Sequence, residues 1–121
     1  MTTKILAIDD SRTIRAMLSA ALKRAGYLVA TAVDGHDGLE KYQSEGPDVV
    51  ITDVHMPQLD GLGFIEAMRQ DPATQFVPIL VFTSESSPAL KERARLLGAT
   101  GWINKPLHQA SLFSILRRVT G

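Results

Sequence analysis

The sequence predicts an α/β domain built on a parallel sheet covered on both faces, and three observations carry that expectation. Short apolar runs rich in Ile and Val recur five times along the chain, and segments of helical period separate them. Strands buried on both faces read as continuous apolar runs, and parallel strands need a long crossover, usually a helix. Several runs also end in a reactive polar residue: Ile5 to Ile8 in Asp9 and Asp10, Val49 to Thr52 in Asp53, Ile79 to Phe82 in Thr83, and Trp102 to Asn104 in Lys105. In open α/β sheets the ligand lies at the carboxyl ends of the strands.

Strands are expected near residues 4–9, 28–32, 48–53, 78–83 and 101–104. After the first strand, a helix begins near Ser11. Ile14, Met17, Leu18, Ala21, Leu22 and Ala25 form its apolar stripe, and Gly26 stops it. A second helix, Gly35 to Ser44, shows only Leu39 and Tyr42 as an apolar face and carries Gly35 and Gly38 against helix propensity. The third, Leu62 to Gln70, buries Leu62, Ile65 and Met68 and ends before Pro72, which pushes its predecessor out of helical geometry. Ser87 followed by Pro88 starts the fourth helix, with a capping hydroxyl and a proline at the first helical position, and Leu90, Ala94 and Leu97 face inward. On its other side Lys91 and Arg95 share a face, read first as solvated surface and second as a partner contact. The fifth helix, Gln109 to Val119, buries Leu112, Ile115, Leu116 and Val119.

At 121 residues the chain is expected to form one domain, residues 1–121, with no separate effector domain. Basic and acidic residues are equal at 13 each, so no bulk positive field exists to hold nucleic acid or an anionic membrane. Cysteine is absent, which removes disulfides and thiolate chemistry and agrees with a reducing compartment; the reading is cytoplasmic. The first apolar run is broken by Asp9 and Asp10, too early for a signal-peptide core.

Three carboxylates at one rim repel one another unless a hard cation lies among them, and Mg²⁺ favours oxygen ligands with one or two carboxylates. A carboxylate is also a nucleophile toward phosphorus when the charge on the transferring oxygens is neutralised. Asp53 is the candidate nucleophile because it stands alone at its strand end, whereas Asp9 and Asp10 are paired. Lys105 and Thr83 supply an ammonium and a hydroxyl for an anion beside the metal. Pro106 restrains the backbone next to Lys105, through a cis or a trans bond. Taken singly, each residue has an ordinary reading: Asp10 and Ser11 as caps, Asp53 as a loop cap, Thr83 as a β-branched strand residue, Lys105–Pro106 as a strand stop. Their joint position at strand ends decides for chemistry.

With these residues in view, the chain resembles the receiver domain of two-component response regulators, and within that family the single-domain chemotaxis type. The resemblance rests on IDDSRTIRAML around Asp9 and Asp10, DVVITDVHMPQLDG around Asp53, PILVFTSES around Thr83 and GATGWINKPL around Lys105 and Pro106, and it runs over nearly the whole chain. It implies a flavodoxin-like doubly wound fold of five βα units with strand order 2-1-3-4-5. It implies a phosphoryl group accepted on Asp53 from a sensor histidine kinase or phosphotransfer protein. Mg²⁺ would be held by Asp10, Asp53 and the backbone carbonyl of His55, with Asp9 acting largely through water. The family's modulating side chains fall on His55 and Glu85, and its aromatic switch position on Trp102, where tyrosine or phenylalanine is commoner. The resemblance further implies a monomeric phosphorylated switch whose only catalysis is its own phosphorylation and dephosphorylation, and whose partner binds at the fourth helix, fifth strand and fifth helix.

Three rivals have discriminating features. A flavin carrier needs a hydroxyl- and glycine-rich phosphate loop where Asp9 and Asp10 stand. A phosphatase of haloacid-dehalogenase type separates its first two acids by one residue, whereas these are adjacent. A scaffold receiver that no longer takes phosphate is disfavoured because every expected site residue is present, and a phosphate-sink receiver with no downstream target stands as a further alternative.

Overall fold

The computed structural model describes residues 2–120. Its strands are β1 (Lys4–Ile8), β2 (Leu28–Ala32), β3 (Val49–Thr52), β4 (Ile79–Thr83) and β5 (Gly101–Asn104). They alternate with α1 (Arg12–Arg24), α2 (Gly35–Glu45), α3 (Gly61–Gln70), α4 (Pro88–Leu97) and α5 (Gln109–Thr120). All strand pairs are parallel, in the order β2-β1-β3-β4-β5. The chain winds outward from β1 to β2, then returns past β1 to β3, so the direction of winding reverses between β1 and β3, where a crevice opens.

Strand side chains alternate between faces, and the core divides accordingly. Leu6, Ile8, Val50, Ile79 and Val81 pack with Phe64, Ile65, Met68 and Ala94 on the side of α3 and α4. Ile5, Ala7, Val49, Ile51, Leu80 and Phe82 pack with Leu18, Leu22, Leu112 and Leu116 on the side of α1 and α5. At about 25 cal/mol per Å² of apolar surface, these two layers provide the main drive to fold.

The helices start where short polar side chains cap them. Ser11, Asp34, Asp60 and Ser87 each accept a hydrogen bond from the N–H three residues on. The structure also contains a 3-10 turn at Pro72–Thr74 that the sequence reading did not include.

Two expectations about the helix faces are corrected. Ala25 is exposed, because α1 ends at Arg24 and the chain turns away there; Met17, at the margin of the stripe, is 37% exposed. Phe64 is fully buried in α3, on the same face as Ile65 and Met68. The glycines of α2 have a packing reason: a Cβ on Gly38 would lie 2.6 Å from Ile8 Cδ1 and 3.1 Å from Phe64 Cε1, so the helix sits closer to the sheet than any side chain allows.

Candidate functional site

Register brings the polar strand ends to one rim. Ile8 lies opposite Thr52, and Thr83 opposite Asn104. Backbone bonds carry the ladder one residue further: Asp9 N–H donates to Ala32 (3.1 Å), Asp53 N–H to Ile8 (3.0 Å) and Lys105 N–H to Thr83 (2.8 Å). Asp9 and Asp53 are nearly enclosed, at 1% and 8% exposure, while Asp10 faces solvent.

The Lys105 ammonium joins the acids, donating to Asp9 Oδ2 at 2.9 Å and Asp53 Oδ2 at 3.0 Å. Burial alone would push its pKa down. The hydrogen bonds it donates to the two carboxylates, with their charge, outweigh burial and hold it above the ordinary lysine value. Its stem passes Phe82, with the ammonium 5.6 Å from the ring centre, and the Lys105–Pro106 bond is cis, which settles the alternative the sequence left open.

The other oxygens are held by backbone. Asp53 Oδ1 accepts from Val54 N–H at 2.7 Å, and Asp9 Oδ1 from Ser11 N–H at 2.9 Å. Arg15 Nη1 donates to the Asp9 carbonyl at 2.8 Å. Both carboxylate oxygens of Asp9 are therefore engaged, whereas Asp10 carries no hydrogen bond to protein among the described residues. One oxygen from each of Asp9, Asp10 and Asp53 lies within 4.8 Å of the others. An all-oxygen, carboxylate-rich set at that spacing fits a hard divalent cation such as Mg²⁺.

The remaining singled-out residues lie on β4, α4, β5 and the loops that follow β3 and β4. Thr83 is buried, and its hydroxyl accepts from Glu85 N–H at 3.3 Å. His55 Nε2 stands 3.3 Å from Glu85 Oε1, with both side chains largely exposed. Trp102 is half-buried on β5 opposite Val81, and its indole N–H is enclosed without an acceptor among the described residues. Lys91 lies 5.9 Å from the Trp102 ring centre, while Arg95 pairs with Glu92. The two basic residues read together from the sequence thus have different surroundings. A groove of about 350 Å³ runs beside them, lined by Pro88, Lys91, Arg95, Thr100 and Trp102 among others.

Sequence reasoning missed the donors that fix the acids. Val54 and Ser11 act through backbone N–H groups, which residue identity does not announce, and Arg15 lies at the end of the first turn of α1. Thr52 was read only as the last residue of an apolar run, yet its buried hydroxyl donates to the Asp53 carbonyl at 2.9 Å.

Buried acids bridged by one lysine at the switch point of a five-stranded 2-1-3-4-5 sheet are the defining features of a receiver domain. The family model described as the response regulator receiver domain matches residues 5–117, and the chain belongs to that family. It is 34% identical over 119 residues to the probable chemotaxis protein CheY of Rhizobium etli, covering 98% of this chain and 92% of that one. The probable transcriptional regulator ycf27 of Guillardia theta is 38% identical over 116 residues, 96% of this chain, which spans only 44% of that regulator's length. The structure of the Vibrio cholerae chemotaxis protein CheY4 superimposes with a TM-score of 0.93 at 44% identity, covering 98% of this chain and 99% of that one. No helix among the described residues is long and apolar enough to cross a membrane.

Proposed function

We propose that the protein acts as a response regulator receiver that accepts a phosphoryl group on Asp53 and thereby changes its affinity for a protein partner. The observation that carries this reading is the treatment of Asp53. It is a nearly buried carboxylate with one oxygen held by a backbone N–H and the other shared with Lys105, beside two further acids. In the proposed step a carboxylate oxygen of Asp53 attacks phosphorus while the bond to the donor's imidazole nitrogen breaks, and that nitrogen keeps the electron pair and takes a proton. Lys105 neutralises a phosphoryl oxygen, and Thr83 donates to another. Asp10, Asp53 and the His55 carbonyl would hold Mg²⁺, which, when bound, neutralises charge on the phosphoryl oxygens.

The donor is a histidine kinase or phosphotransfer protein, and the protein works as a cytoplasmic monomer. Movement of the Thr83 hydroxyl toward the phosphoryl group vacates space beside β5 that Trp102 enters, so a local charge event biases a packed element. The face formed by α4, β5 and α5, with Lys91, Arg95 and Trp102, then presents a different surface to the partner.

Incubation with acetyl phosphate and Mg²⁺ followed by intact mass tests the reading. The wild type should gain one phosphoryl group and Asp53→Asn none. Equal labelling of both proteins, or turnover of phosphate esters in excess over protein, refutes it.

A further inference from the structure

We propose that Thr52 is a positioning residue for the reaction at Asp53, an inference that rests on the reading of Asp53 as phosphoacceptor. The β3 ladder ends at Thr52, so the Asp53 carbonyl lies beyond the last strand residue. The Thr52 hydroxyl, fully buried, supplies the donor instead at 2.9 Å. That carbonyl and the Val54 N–H belong to one peptide unit, and a peptide unit is planar. Fixing the oxygen therefore fixes the direction of the N–H, and this N–H donates to Asp53 Oδ1 at 2.7 Å.

The same carbonyl is confined from a second side. A Cβ on Gly61 would stand 2.0 Å from the Asp53 oxygen, so the first turn of α3 lies directly against it, and Gly61 N–H donates to the next carbonyl, that of Val54, at 2.8 Å. Between the Thr52 hydroxyl and the start of α3 the peptide plane has one orientation. It turns Oδ1 into the backbone clamp and leaves Oδ2 toward Lys105. Thr52 touches neither donor nor phosphoryl group; it acts on the nucleophile through the peptide that aims it.

Thr52→Val keeps the branched shape and removes the hydroxyl, whereas Thr52→Ser keeps the hydroxyl. With acetyl phosphate and Mg²⁺ both saturating, Thr52→Val should phosphorylate about tenfold more slowly than wild type and Thr52→Ser within about twofold of it, because a misaimed nucleophile slows the step even when both substrates are bound. The affinity for Mg²⁺ should stay within about twofold in both, since a positioning defect appears in the rate and not in ground-state binding. The Val54 amide proton should move upfield in Thr52→Val and keep its wild-type resonance in Thr52→Ser. Wild-type rate and amide resonance in Thr52→Val, or a Thr52→Ser variant as slow as Thr52→Val, overturns the proposal. Thr52→Ala is the second hydroxyl-free variant should Thr52→Val not fold. Absence of phosphorylation in wild type defeats the reading of Asp53 itself, and the Val54 resonance then decides the role of Thr52 alone.

Discussion

Lys105 Nζ stands 3.0 Å from Asp53 Oδ2, so the proposed nucleophile rests in the grip of the residue that would later hold the phosphoryl group. The same ammonium reaches Asp9 at 2.9 Å. A metal ion held by these acids would share its carboxylates with an organic cation, and like charges several ångströms apart oppose one another.

Lys105→Met should therefore tighten Mg²⁺ binding by about tenfold by removing that cation. It should also slow phosphorylation by about 10²-fold, the usual effect of losing one charge-stabilising donor. Metal titration and acetyl phosphate kinetics check the two halves. Weaker Mg²⁺ binding in the variant would show that Lys105 organises the acids and does not compete for them.

The raised pKa of Lys105 gives a pH dependence with a definite sign. A group that holds its proton more firmly folded than unfolded contributes its full stability below the unfolded value, and loses it as pH rises through the folded one. The stability difference between wild type and Lys105→Met should thus be flat through neutrality and shrink only above roughly pH 10, the ordinary lysine range. Denaturant titrations across that span measure it, and a difference that shrinks between about pH 6 and 8 contradicts the assignment to lysine.

His55 and Glu85, 3.3 Å apart at the mouth of the site, should behave as one unit. An exposed pair contributes at most about 1 kcal/mol, so His55→Ala and Glu85→Ala should each leave the melting temperature nearly unchanged. Their effects on phosphoryl lifetime should be non-additive, as expected for residues in contact. Strictly additive lifetimes in the double variant would show that the pair does not act together.

Trp102→Phe removes an enclosed N–H that has no acceptor. Such a group costs about 1–3 kcal/mol, which offsets the apolar area lost with the larger ring, so the net change should stay within about 1 kcal/mol. A loss of several kcal/mol by chemical denaturation would mean that the N–H is satisfied in solution. As the only tryptophan, Trp102 should also change its fluorescence when beryllofluoride and Mg²⁺ bind.

Gly61→Ala should destabilise by on the order of 3 kcal/mol and abolish phosphorylation, because its Cβ meets the Asp53 carbonyl at 2.0 Å, a backbone atom with no room to move. At Gly38 the nearest obstacle is the far end of Ile8 at 2.6 Å, and alanine gains about 1 kcal/mol in helix propensity, so Gly38→Ala should cost clearly less. Equal losses in thermal stability would remove the distinction.

Much of the architecture was legible because each strand is centred on a short apolar run and each of the first four helices has a Ser or Asp at its cap. The expected strands contain the observed ones, and the helix limits differ by at most two residues where both ends were read. The faces were less legible. The periodicity of α1 pointed Ala25 inward, but periodicity does not say where a helix leaves the sheet. The two α2 glycines have weak helix propensity, but Gly38 marks close approach to Ile8 and Phe64 and Gly35 close approach to Leu59.

By itself the sequence determined the fold class, the five strand and helix pairs and the acids, hydroxyl and amine at strand ends, because these follow from periodicity and from side-chain chemistry. Only the tertiary structure decided which oxygen each donor holds, that His55 meets Glu85, that Lys91 and Arg95 part company, and that Thr52 reaches the Asp53 carbonyl. Those relationships join backbone groups and side chains from separate strands and loops. Their distances are set by packing across the sheet, which no local pattern encodes.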